Sequence, residues 1–226
     1  MSDGLSGKPR VAVIATGVAN LASMLAALER AGAEAFATRD PELVAASPYA
    51  LLPGVGAFGP AAETLRASGV DRALRARWRA RLPTLGVCLG MQLFFEGSEE
   101  SPGTPGLAIV PGIFRGFAGG LPLPQLGWNR VTHSIGRGGA SPAGCGSVLA
   151  DGWAYFANSY RLASPPPGCV AYRAEYGEGF VAGLEAGRSA RGGPVLALCQ
   201  FHPELSGSWG LALLRRWLGL EAGGAP

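Results

Sequence analysis

The first half of the chain alternates short apolar runs with helical patterns, and this most constrains what it can fold into. Residues 10–15 form an apolar run led by Arg10, and Leu21, Met24, Leu25 and Leu28 then recur at helical spacing before a stop at Gly32. Residues 34–38 and 49–52 read as further strands, the second ended by Pro53-Gly54. Residues 61–81 read as one or two helices broken near Gly69, 84–88 as a strand and 91–96 as a helical segment. Strands separated by helices of this length imply right-handed crossovers and a mostly parallel sheet. The expected fold is therefore α/β, a doubly wound, mostly parallel central sheet with flanking helices. In the second half, β-like pieces at 112–117, 128–132, 153–158, 169–175 and 180–184 suggest antiparallel strands added to the same sheet. Gly/Pro-rich loops are expected between them at 134–146 and 164–168. A last strand at 195–201 leads into a helix with Leu211, Leu214 and Leu218 on one face.

Composition narrows the function classes. The 226 residues are 48% apolar, enough for a sizeable core. A net charge of +3, with 15% charged residues, argues against nucleic acid or an anionic membrane as partner. The longest uncharged stretch, 43–62, carries three prolines and three glycines and cannot be a spanning helix. Four cysteines without a CxxC pair, and two histidines, point to neither a disulfide scaffold nor a metal site. A cytoplasmic protein without cofactor is expected. The arginines at 72, 75, 77, 79 and 81 read as a solvated helix face.

Two motifs carry chemistry. In Gly86-Val87-Cys88-Leu89-Gly90 a strand runs in and a helix leaves, the setting of a nucleophile elbow with cysteine in place of serine. A helix amino end favours thiolate, and the Leu89 N–H points where a tetrahedral oxyanion forms. Alone, the pentapeptide suits a buried structural cysteine equally well. The second motif is His202-Pro203-Glu204, directly after a predicted strand. Proline holds His202 extended, so His202 and Glu204 should project to one side, the carboxylate fixing the imidazole's tautomer. Together they favour Cys88–His202–Glu204 acyl chemistry. Gly54-Val55-Gly56-Ala57-Phe58-Gly59 matches a dinucleotide fingerprint, but no second strand bearing an acidic residue follows about 20 residues later. Its Val55 or Gly56 amide is instead a candidate second oxyanion donor. Trp128, after a proline and a glycine, suits either core or an interface anchor.

Gly86–Gln92 with 200–204 resembles the signatures of class I (triad) glutamine amidotransferases. Segments 52–59, 95–100, 126–129 and 155–160 are most similar to the branch formed by the glutaminase subunits of imidazole glycerol-phosphate synthase. The resemblance covers about residues 10–218. It implies one amidotransferase domain there, with 1–9 and 221–226 as flexible tails. It implies hydrolysis of L-glutamine and delivery of ammonia to a (β/α)₈-barrel cyclase that forms imidazole glycerol phosphate and an aminoimidazole carboxamide ribotide. Cys88 would be nucleophile, His202 base and acid, and Glu204 its orienting carboxylate. Gly54, Gln92, Ser159 and Tyr160 would hold glutamine, and Trp128, Asn129 and Tyr155 would face the cyclase. A change in the Pro53–Gly56 segment would complete the oxyanion hole. The sequence departs from the pattern at Leu205, where lysine is usual, at Gln125 and Asn158, where histidine is frequent, and at 15–20, which lacks an Asp-Tyr-Gly flavour. A glutaminase serving another synthase and a non-catalytic regulatory subunit remain alternatives.

Overall fold

The computed structural model describes residues 7–16, 21–134 and 146–220. Its first half runs β1 (Arg10–Ile14), α1 (Leu21–Ala31), β2 (Glu34–Thr38), α2 (Pro41–Ala46), β3 (Tyr49–Leu52), α3 (Phe58–Ser68), α4 (Val70–Arg79), β4 (Thr84–Val87) and α5 (Leu89–Gln92). The second half holds β5 (Gly97–Ser98), β6 (Ile113–Gly116), β7 (Gln125–His133), β8 (Gly152–Asn158), β9 (Tyr160–Arg161), β10 (Val170–Tyr176), β11 (Glu178–Ala186) and β12 (Leu196–Cys199). A 3₁₀ turn, Pro203–Leu205, and α6 (Gly207–Trp217) complete the described chain.

Nine strands form one sheet in the order β2-β1-β3-β4-β12-β11-β10-β7-β8. The first five are mutually parallel, and β11, β10, β7 and β8 continue the sheet antiparallel. The added strands thus extend the same sheet, as the sequence implies. Burial on both faces explains why the parallel strands read as continuous apolar runs. Val11, Val13, Leu51, Leu85 and Cys199 pack with Met24, Leu28, Leu214 and Trp217 of α1 and α6. The alternate residues Ile14, Leu52 and Leu198 pack with Val44, Phe58, Leu65 and Leu74 on the other side.

Three details differ from the sequence reading. The 112–117 segment forms β6 of a separate small sheet, β5-β6-β9, because its strand pairs locally with 97–98 and 160–161. The helix after β4 begins at once, at Leu89, and not at residue 91. Arg77 is 1% exposed, so the arginines are not uniformly a solvated face. It lies on the same side of α4 as Val70, Ala73 and Leu74, and its guanidinium donates to the carbonyls of Val44, Ser47 and Pro83. Burial lowers its pKa to about 10, which keeps it cationic at neutral pH. The break between α3 and α4 falls at Gly69, whose φ of 76° ends the first helix. The expected loop at 134–146 lies almost wholly outside the described residues, as do 1–6 and 221–226 of the expected tails. No helix among the described residues is long and apolar enough to cross a membrane.

Candidate active site

The site gathers at the carboxyl ends of parallel strands β3, β4 and β12, where α/β sheets open a crevice. β4 delivers Cys88 at φ 53°, ψ −115°, a strained conformation held because the surrounding packing leaves no alternative. A Cβ on Gly90 would lie 1.9 Å from the Leu52 carbonyl oxygen, so only glycine permits the tight exit into α5. The Cys88 amide donates to the Cys199 carbonyl at 2.8 Å, which ties the elbow to β12.

Beyond β12 the chain stays extended through His202 (φ −102°, ψ 96°) and then turns at Pro203–Leu205. That turn, and not continued extension, brings Glu204 back: its Oε1 lies 2.9 Å from His202 Nδ1. Both side chains are nearly sealed from solvent. Burial pulls the imidazole down, but hydrogen bonding to Cys88 and Glu204, reinforced by their negative charge, outweighs it and pushes His202 up to about 10. The histidine is thereby held as imidazolium beside the sulfur. In contrast, burial pushes the Cys199 thiol well up, and the charges of Glu204 and Cys88 add to this. Of these two neighbouring cysteines, Cys88 alone sits beside the cation. Strand β8 fixes the histidine from behind, since the His202 amide donates to the Tyr155 carbonyl at 2.8 Å.

A cavity of about 300 Å³ opens at Cys88 and His202. Val55, Gly56, Leu89, Gln92, Ser159 and Tyr160 also line it, whereas Glu204, Trp128, Asn129 and Tyr155 do not. Gly54 instead lines a neighbouring cavity of about 200 Å³, together with His202, Glu204 and Leu205. The oxyanion donor expected at Leu89 is engaged: its N–H donates to the Gly54 carbonyl at 3.3 Å. Trp128 is 56% exposed and edge-on to half-buried Tyr155, away from the core, while Asn129 Nδ2 donates to the Glu175 carbonyl at 2.7 Å. Leu126 and Leu205 are exposed large apolar residues as well.

Sequence reasoning missed Glu100 and Asn158 as lining residues. Glu100 Oε2 accepts from the Phe58 N–H at 2.9 Å. Asn158 Nδ2 donates to the Tyr160 carbonyl at 3.0 Å, and its Oδ1 is buried without a partner. Neither residue stands at a diagnostic spacing from Cys88. The one available signal was that both fall inside segments resembling the family.

No family model matches the chain. It is 41% identical over 223 residues to the imidazole glycerol phosphate synthase subunit HisH of a Synechococcus species, covering 97% of each chain. The same-named subunit of Herpetosiphon aurantiacus is 40% identical over 215 residues, covering 93% of this chain and 94% of the relative. The chain belongs to the HisH family. Its fold agrees: a crystal structure of a glutamine amidotransferase superposes with a TM-score of 0.70 at 20% identity, over 93% of this chain and 97% of that one. PurLQS from Thermotoga maritima gives 0.68 at 16% identity, over 94% and 98%. Among the departures noted in the sequence, Asn158 and Leu205 line the cavities and Gln125 pairs with Asn158 across β7 and β8, while Cys88, His202 and Glu204 are all present.

Proposed function

We propose that this chain is the glutaminase subunit of an imidazole glycerol phosphate synthase, cleaving L-glutamine and passing ammonia to a (β/α)₈-barrel cyclase. The observation that carries the reading is that His202, held by Glu204 through Nδ1, lines the same small cavity as an elbow cysteine. The Cys88 thiolate attacks the side-chain carbonyl carbon of glutamine, and the carbonyl oxygen takes the negative charge. His202 gives its proton to the departing nitrogen as the C–N bond breaks, releasing ammonia and leaving a γ-glutamyl thioester on Cys88. Neutral His202 then takes a proton from water, whose oxygen attacks the thioester, and collapse of the adduct expels the thiolate and releases glutamate, restoring the thiolate–imidazolium pair. Glu204 holds the ring through Nδ1 during both transfers.

The tetrahedral oxygen needs donors. Leu89 N–H is one once the Gly54 carbonyl is turned away, and the Val55 or Gly56 amide supplies the second. Rotation in the Gly54–Gly56 backbone therefore accounts for coupling to a partner. Glu100 and the unpaired Asn158 Oδ1 offer negative charge and an acceptor for the substrate's α-ammonium, with Gln92, Ser159 and Tyr160 completing the pocket. The cyclase would cover Trp128, Asn129 and Tyr155, with Leu205 making an apolar contact where the family usually places a lysine.

The test is glutamate release from glutamine, with and without the candidate cyclase and its ribulose-phosphate ligand. Activation by that cyclase and loss in Cys88→Ser support the reading. Full activity in Cys88→Ser overturns it, and activation only by a different synthase reassigns the acceptor. A glutamine-analogue electrophile that fails to label Cys88 in the complex would favour a purely regulatory subunit.

A further inference from the structure

Gln200, the first residue after β12, is completely buried. Its backbone N–H donates to the Ala182 carbonyl of β11 at 2.8 Å, so its Cα is fixed by the sheet. Its side chain spans the site from behind. Gln200 Nε2 lies 3.5 Å from Cys88 Sγ, and Gln200 Oε1 accepts from Gln92 Nε2 at 3.1 Å. A buried primary amide is costly unless both ends are satisfied, and here one end takes the sulfur and the other the cavity-lining Gln92. The direction of the chain is set chemically. A thiolate accepts and cannot donate, so the nitrogen of Gln200 must face it. The oxygen of Gln200 then faces Gln92 and demands a donor, which turns the Gln92 carbonyl oxygen away from Gln200.

We propose that Gln200 is a positioning residue that gives the Cys88 thiolate a fixed hydrogen-bond donor and, through the same amide, sets the orientation of Gln92 toward the substrate. The proposal rests on the glutaminase reading of the site. One side chain then ties nucleophile activation to substrate recognition. His202 supplies the countercharge to the thiolate, and Gln200 supplies a neutral donor to the same sulfur.

The experiment uses the full chain with its cyclase and two substitutions. Gln200→Met matches the size of the side chain but removes both hydrogen bonds. Gln200→Glu keeps an acceptor for Gln92 and loses the donor to sulfur. Alkylation of Cys88 by iodoacetamide, followed by mass spectrometry across pH, reads the nucleophile without requiring glutamine turnover. Both variants should alkylate about tenfold more slowly near pH 7, with the half-maximal rate displaced to higher pH. In steady-state glutamine hydrolysis, Gln200→Glu should lower kcat with KM little changed, whereas Gln200→Met should lower kcat and raise KM. Should either variant fail to fold, side-chain amide ¹⁵N NMR of the unmodified protein decides, since the Gln200 Nε2–H signals should move when Cys88 is alkylated. Folded variants with the alkylation profile of the unmodified protein, or Gln200 signals indifferent to Cys88 alkylation, would overturn the proposal and leave the glutaminase reading standing. Failure of that reading would show separately, as full turnover in Cys88→Ser.

Discussion

On one wall of the cavity, β4 turns into α5 with no freedom left. The elbow is clamped by Gly90 against Leu52, by the Cys88–Cys199 backbone bond, and by His202 and Glu204 already in register. On the opposite wall, β3 runs out into a segment where Val55, Gly56 and Ala57 are exposed and Gly56 adopts a φ of 103°. There the Gly54 carbonyl accepts from the Leu89 N–H, the proposed oxyanion donor. In the proposed reaction, the proton-handling pair His202–Glu204 is already in contact, whereas the proposed oxyanion donor at Leu89 is still bonded to the Gly54 carbonyl. A missing oxyanion donor costs about 10²–10³ in rate, so the proposed function predicts slow turnover by the chain alone.

The contrast can be broken most sharply at the nucleophile. Cys88→Ala should lower glutamate release in the activated complex about 10⁴-fold or more, with the melting temperature nearly unchanged. The difference in rigidity comes next. Gly90→Ala forces a methyl into the Leu52 carbonyl and should cost about 3 kcal/mol in urea unfolding. Gly56→Ala, on the soft wall, should cost only about 1 kcal/mol of backbone strain. Equal losses at the two positions would remove the distinction.

Glu204→Gln should reduce turnover about 10²-fold and bring the His202 titration, followed by NMR, down from about 10. The sign for stability follows from the raised pKa. An unfolded histidine titrates near 6.5, so the contribution of His202 is fully present below about pH 6.5 and is lost as pH rises through about 10. The melting-temperature gap between the unmodified protein and Glu204→Gln should therefore be wide near pH 6, with the carboxylate ionised, and close above about pH 10. The smallest effect is expected at the exposed patch. Trp128→Ala should weaken cyclase binding by about 2 kcal/mol in calorimetry and leave the isolated chain's melting temperature unchanged.

The sequence made the proton-handling wall legible because short-range chemistry fixes it. Glycines flanking Cys88 and a proline between His202 and Glu204 each force a local geometry. The parallel strands were equally readable, since burial on both faces produces unbroken apolar runs. Long-range partners left weaker traces. The 112–117 segment carries no mark of which edge it pairs with, so its place in the small sheet had to be seen. Arg77 could have been placed, since it stands four residues after Ala73 and seven after Val70 on one helical face, but its charge argued against the core. Glu100, Asn158 and Gln200 come from three separate elements and meet only in the fold. The engaged Leu89 N–H depends on a single peptide orientation, which no residue pattern encodes.

The most direct test of the account is the rate of glutamate release by the chain alone compared with the chain bound to its ligand-loaded cyclase. The account predicts turnover that is barely detectable alone and rises at least about 10²-fold on activation, as the oxyanion donors come free. Equal and substantial turnover in both states would contradict it.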